Sequence, residues 1–225
     1  MEITGRKFVF VIDEWDALIR ETRDAKIQDA YLNLLREWFK NGNLTVDIVA
    51  AAYMTGILPI KKDGSQSAIS DFREYPILNP GKFAEYTGFT EREVKDLCEE
   101  NGMDFEEVKR WYDGYLVKGV SIYNPRSVVM SMTGHDYDSY WTKTETYEAL
   151  AEYIRMDFDG LKEAVAVLMD GGRVQVDIRT YENDMTTFHG RDDVLTMLVH
   201  LGYLVYDSET KEVSIPNNEV LDEFK

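Results

Sequence analysis

The sequence predicts an α/β fold at its N-terminus, a mainly helical middle and a C-terminal winged-helix-like module. Three observations carry this. Two continuous apolar runs, FVFVI at 8–12 and VDIVAAAYM at 46–54, flank an amphipathic helical segment. Two helix-start signatures, Thr90-x-x-Glu93 and Asp104-x-x-Glu107, open helices in the middle of the chain. Residues 186–225 pass from an apolar helix to a hairpin pattern, YLVYDSETKEVSIP.

The first run is five residues, all β-branched or aromatic. Continuous rather than alternating hydrophobicity predicts a strand buried on both faces, as in a parallel sheet. Residues 16–40 then read as one helix, with apolar spacing through Leu18, Tyr31, Leu34, Leu35, Trp38 and Phe39 and a stop at Asn41-Gly42-Asn43. The second run, 46–54, reads as another buried strand leading into Thr55-Gly56. Strand, helix, strand favours a parallel pair. The polar stretch KKDGSQSAISDF reads as a loop opening a short helix. Two prolines and a glycine in PILNPGK (76–82) place the first boundary, so residues 1–82 form the N-terminal part.

Residues 83–185 are expected to be helical. Helices start near 91 and 105, with Phe89/Val94 and Met103/Val108 placed as hydrophobic staples. The second ends at Trp111-Tyr112-Asp113-Gly114-Tyr115. Further helices are expected at 144–156 and 159–169. Residues 186–225 form the winged-helix-like module: Asp192 or Asp193 caps VLTMLVHL, Gly202 stops it, and two strands follow. Such a module suggests DNA binding. Against that, this segment holds Arg191, Lys211 and Lys225 but eight acidic residues. Affinity for DNA rests largely on phosphate neutralisation, so a structural or protein-binding role is favoured.

The whole chain repeats that balance. Its net charge of −17 argues against sequence-independent binding to nucleic acid or to anionic membrane, since both need a basic face. Lys61 and Lys62 are the adjacent basic pair downstream of the first strand. One cysteine, Cys98, excludes an intramolecular disulfide. His135, His189 and His200 are far apart, and no zinc-ligand spacing occurs. No secretory signal or membrane-length apolar run is read, and a cytoplasmic setting is expected.

Chemistry concentrates where the first strand ends. FVFVI runs into Asp13, Glu14 and Asp16. Ligands of parallel sheets bind outside the carboxyl ends of the strands. An apolar strand ending in Asp-Glu has the form of a Walker B element, in which the aspartate helps hold Mg²⁺ on nucleotide phosphates and the glutamate polarises the attacking water. The plain alternative is that Asp13 caps the following helix. No GxxxxGK[ST] phosphate loop occurs in the sequence.

Seven strings occur in order: FVFVIDEWD (8–16), YMTGILPIKK (53–62), GFTEREV (88–94), WYDGY (111–115), IYNPRSVV (122–129), DDVLTMLVHLGYL (192–204) and IPNNEV (215–220). Together they resemble the bacterial AAA-ATPase-like family, P-loop proteins related to STAND and archaeal ATPases. The resemblance implies a partial P-loop NTPase sheet over 1–82, a helical lid over 83–185 and a winged-helix-like module over 186–225. It also implies a fragment, without the family's arginine-rich phosphate loop and without the nuclease-like domain that often follows. By matching position, Asp13 resembles the Walker B aspartate and Mg²⁺ ligand, and Glu14 the catalytic base. Asp16 belongs to the nucleotide-binding set, and Thr55 resembles the residue that senses the γ-phosphate. A threonine before glycine is also ordinary turn chemistry. Many relatives carry an arginine shortly after the Thr-Gly pair, where Leu58 or Pro59 stands here.

Two readings follow. In the first, the intact protein binds and hydrolyses ATP with Mg²⁺, and this chain alone is inactive for want of a phosphate loop. In the second, the chain is a non-enzymatic module that pairs with itself or with a protein partner. A nuclease reading rests only on the absent domain; the chain shows no PD…(D/E)xK arrangement. In WYDGY and IYNPRSVV, Trp111, Tyr112, Tyr115 and Tyr123 are expected to form an aromatic packing cluster. The alternative places them against a nucleotide base, with Asp113 and Asn124 orienting a lid.

Overall fold

The computed structural model describes residues 5–22, 24–40, 42–57, 62–63, 66–67, 72–117, 119–140, 158–181 and 188–225, with backbone alone at 43, 62–63, 66–67 and 159. The chain forms two compact units, 1–74 and 75–225.

The N-terminal unit contains β1 (Phe8–Ile12), α1 (Ala17–Glu21), α2 (Ala25–Phe39), α3 (Gly42–Ile48) and β2 (Val49–Met54), followed by a short antiparallel pair, β3 (Lys62–Asp63) and β4 (Gln66–Ser67). Strands β1 and β2 pair in parallel, with Phe10 opposite Ala52 and Ile12 opposite Met54. Those residues gather with α2 around Trp15, Leu35 and Phe39. Phe10 meets Phe39 edge-on, with ring centres 5.6 Å apart.

Three details differ from the sequence reading. Residues 16–40 form two helices rather than one. Thr22 is extended, its hydroxyl accepts from the Asp24 amide, and the Asp24 carboxylate caps α2 by accepting from the Lys26 amide at 2.9 Å. Such short polar side chains offer the backbone an alternative to a continuing helix. Gln28 then satisfies the stranded carbonyls of Ile19 and Thr22. Second, the 46–54 run is helical to Ile48. The Thr45 hydroxyl binds the Trp38 carbonyl at 2.9 Å, tying α3 to the last turn of α2.

Third, the β1 strand is not buried on both faces. Phe10 and Ile12 point to the core, whereas Val9 and Val11 on the other face are 68% and 74% exposed, beside Tyr53 at 56%. The sequence pattern prepares two covered faces; the described residues cover one.

The C-terminal unit begins at Tyr75, ahead of the expected boundary at 82. Tyr75 packs edge-on against Phe83 at 4.7 Å, and Leu78 packs onto the C-terminal core. A 3-10 turn (Gly81–Tyr86) leads to β5 (Phe89–Thr90), α4 (Glu91–Asn101), α5 (Phe105–Tyr112), β6 (Tyr115–Val117), β7 (Val120–Tyr123) and α6 (Pro125–Gly134). Strands β5, β7 and β6 form an antiparallel sheet in that order. Thr90 and Glu93 make both bonds of a capping box, and Asp104 accepts from the Glu107 amide. The staple residues Phe89, Val94, Met103 and Val108 lie in one hydrophobic cluster.

Next come α7 (Leu161–Met169), β8 (Val174–Gln175), α8 (Arg191–His200), β9 (Val205–Asp207), β10 (Glu212–Ser214) and α9 (Asn218–Phe224). Strand β10 sits between β8 and β9 in an antiparallel sheet. Helices α7 and α8 share one core with this sheet and with Val220 of α9. The expected boundary at 185 therefore cuts through a core that already contains α7 and β8. The amphipathic segment expected at 144–156 lies outside the described residues.

Candidate functional site

The C-terminal ends of β1 and β2 are locked together by backbone. The Thr55 amide donates to the Ile12 carbonyl at 2.9 Å, and the Trp15 amide donates to the Thr55 carbonyl at 2.8 Å. Between these two bonds lies the Thr55 hydroxyl. It donates to Asp13 Oδ1 and accepts from the Glu14 amide. Asp13, Glu14 and Thr55 thus meet at one corner, although 41 or more residues separate Thr55 from the other two.

Glu14 holds this corner at a backbone φ of 49°. A non-glycine residue in the left-handed region is uncommon and costs about 1–3 kcal/mol, and such strain clusters at functional sites. The conformation turns the chain sharply, so that Trp15 and Asp16 point into the protein while Asp13 and Glu14 stay exposed.

Asp16 is fully buried. Its Oδ2 accepts from Arg20 Nε at 3.1 Å and its Oδ1 from the Ile57 amide at 3.3 Å. It occupies the N-cap of α1 without bonding that helix's amides. Asp16, expected from the resemblance to belong to the nucleotide-binding set, is thus buried with both oxygens bonded within the fold. Asp13 does not cap α1 either. It is exposed, and its Oδ2 accepts no hydrogen bond among the described residues.

Arg20 was not singled out by the sequence. Its Nη2 lies 2.9 Å from Glu14 Oε2 while its Nε holds Asp16, so one guanidinium bridges the exposed and the buried carboxylate. The i,i+4 spacing of Asp16 and Arg20 was readable in advance; the reach to Glu14 depends on the left-handed turn. Tyr31 adds a third brace, donating to the Trp15 carbonyl at 2.7 Å. Burial, and then the Asp16 charge, push the Tyr31 phenol above its usual range.

Gly56 completes the corner. A Cβ there would lie 2.5 Å from Trp15 Cδ1 and 2.7 Å from Asp16 Oδ1. The glycine of the Thr-Gly pair thus serves close approach. Leu58, Pro59 and Lys61 lie outside the described residues, as does the Lys62 side chain.

The donor set suits a cation only in part. Mg²⁺ keeps several waters and is bound through one or two carboxylates plus substrate phosphates. Asp13 supplies one exposed carboxylate of that kind. Among the described residues no group of three or more His, Cys, Asp or Glu side chains is placed to hold a metal by itself.

The other motif strings meet in the C-terminal unit. Tyr112 and Tyr123 are fully buried in the α4–α5–α6 cluster. Asp113 accepts from the Ser121 hydroxyl, and Asn124 caps α6 through the Arg126 and Ser127 amides. WYDGY contacts IPNNEV directly: Asn217 donates to the Asp113 carbonyl at 2.8 Å, and a Cβ on Gly114 would lie 2.2 Å from the Pro216 carbonyl oxygen. Tyr115 donates to the Gly202 carbonyl at 2.8 Å. These residues join two parts of one unit through packing and backbone contacts. A groove nearby, lined by Ile77, Leu116, Val199 and Tyr206, has a volume of about 90 Å³. Pockets for drug-sized ligands run to about 300–1,000 Å³, so this groove is small beside them.

Two further residues are the half-buried His200 and the buried Cys98. Burial lowers the pKa of His200, whose ring is tilted against Tyr181 with ring centres 5.7 Å apart. Burial raises the pKa of the Cys98 thiol, as for a cysteine in apolar surroundings. No helix among the described residues is long and apolar enough to cross a membrane.

No protein-family model matches the chain, and no solved structure matches it. It is similar to a protein of Azotobacter chroococcum mcd 1 described as an uncharacterized protein in the vnfD 5' region, 24% identical over 157 residues. The match covers 67% of this chain and 29% of the relative, so the chain spans under a third of that relative's length. The description names no activity.

Proposed function

We propose that the ends of β1 and β2 form the acidic, Walker B-like half of an AAA-ATPase-like site for nucleotide hydrolysis. A single observation carries this reading. The Thr55 hydroxyl stands between the Asp13 carboxylate and the Glu14 amide, where two parallel strands end. Asp13 would present its open oxygen to Mg²⁺. Bound there, the ion supplies charge neutralisation on phosphate oxygens. Glu14 would orient the attacking water, and Thr55 would fix Asp13 and read the phosphate.

The geometry adds a constraint to each role. Thr55 already donates its proton to Asp13, so reading a phosphate requires that the hydroxyl turn away. Glu14 is held by Arg20, so orienting water requires that it come free. Phosphoryl transfer depends on positioning and charge stabilisation. This sequence carries no phosphate-loop motif to provide the other half, so the chain alone is expected to be inactive. A Mg²⁺ titration followed by amide chemical shifts tests the reading. Saturable shifts at Asp13, Glu14 and Thr55, lost in Asp13→Asn, are expected. Shifts confined to other acidic residues would refute it.

A second reading is favoured by a different observation, the open face of Val9, Val11 and Tyr53. Contiguous apolar surface of this kind marks contact with another chain or segment. In that reading the chain is an interaction module, and the acidic corner only closes the fold.

A further inference from the structure

We propose that Arg20 is a positioning residue that latches Glu14, keeping it out of reach of a cation at Asp13. The proposal rests on the reading of Asp13 given above. Arg20 touches two carboxylates of unequal standing. Asp16 is fully buried and needs its partner. Glu14 is exposed, with 62% of its side chain open to solvent, so its ion pair is the weaker and more exchangeable of the two. The guanidinium has a fork that serves both at once. Its own side chain is only 19% exposed and is anchored through Nε, so the Nη2 end is the part that can let go.

The strain at Glu14 fits a held residue rather than a passive one. Its φ of 49° throws the side chain back toward α1, where Arg20 sits one turn beyond Asp16. With the latch closed, Asp13 faces a cation without help from its neighbour. With the latch open, two adjacent carboxylates face it together.

The experiment compares Mn²⁺ affinity of the full chain, read by relaxation of the Asp13 and Thr55 amides, in the native protein and four variants, Asp13→Asn among them. Arg20→Lys keeps a charge for buried Asp16 but has no fork, so Glu14 is released. Affinity is expected to rise about thirtyfold, the worth of one more unit charge near 4 Å from a divalent ion in water. The double change Arg20→Lys with Glu14→Gln should return affinity to the wild-type value. Glu14→Gln alone removes the latched carboxylate and gives the baseline for the double change.

No gain in Arg20→Lys, or a gain that persists in the double change, while Asp13→Asn still abolishes binding, would overturn the latch and leave the Asp13 reading standing. Absence of any Asp13-dependent binding would overturn both. A purely structural role for Arg20 predicts weaker binding in Arg20→Lys, never stronger.

Discussion

Gly56 lies so close to Trp15 that a single methyl group would come within 2.5 Å of the indole. The same methyl would press on the buried Asp16 carboxylate. Gly56→Ala is therefore expected to destabilise the N-terminal unit by about 1–3 kcal/mol, as overpacking does. Urea denaturation followed by hydrogen exchange of the β1 and β2 amides checks this. A change below about 0.5 kcal/mol, typical of unconstrained surface sites, would show that the corner has slack.

Thr55 makes a donor and an acceptor contact with one oxygen. Thr55→Val keeps the shape, strands the Glu14 amide and removes the donor to Asp13. Both contacts are solvent-exposed, so the expected cost is about 0.5–1.5 kcal/mol, with most of it restored by Thr55→Ser. Faster exchange of the Glu14 amide in the valine variant alone is the diagnostic signal.

ATP turnover by the purified 225-residue chain with Mg²⁺ is expected to be indistinguishable from that of its Glu14→Gln variant. Turnover that Glu14→Gln abolishes would mean that the acidic corner works without a phosphate loop.

The open sheet face gives a test of self-association. Val11 is 74% exposed, so Val11→Lys should change monomer stability by no more than about 0.5 kcal/mol. If the face is a contact surface, light scattering will show the native chain associating and the lysine variant shifting toward monomer. A native chain that stays monomeric at high concentration would contradict the interaction-module reading.

Alkaline pH should loosen the fold. Burial raises the phenols of Tyr31, Tyr112, Tyr115, Tyr123 and Tyr140 above their ordinary value of 10.0. Each folded pKa lies above its unfolded one, so the stabilisation is complete below pH about 10 and is lost as pH rises through the folded values. Phenolate absorbance and unfolding should therefore climb together above pH 10. Full ionisation of all tyrosines in a folded chain would contradict this.

Much of the fold was legible because its signals are local. The FVFVI and VDIVAAAYM runs, the Thr90 and Asp104 caps, and the Gly202 stop depend on neighbours within a few residues. The break at Thr22–Asp24 was also local chemistry, but helical periodicity on both sides hid it. The helical start of the 46–54 run depends on Thr45 reaching Trp38. The open face of β1 is invisible to a pattern that records only which residues are apolar. At the site, Asp13, Glu14 and Thr55 were legible as residue types at strand ends. Asp16 was not separated from its exposed neighbours and Arg20 was not singled out, because burial and a left-handed turn decide which carboxylate is bonded within the fold and which faces solvent.

The central claim is that Asp13 is the cation-facing carboxylate of a Walker B-like corner. Mn²⁺ relaxation of amide signals tests it most directly, since broadening falls steeply with distance from the ion. The account predicts the strongest broadening at Asp13, Glu14, Thr55 and Gly56 in the native chain, and its loss in Asp13→Asn with the fold intact. Equal broadening of those four amides in Asp13→Asn, or none in the native chain, would contradict it.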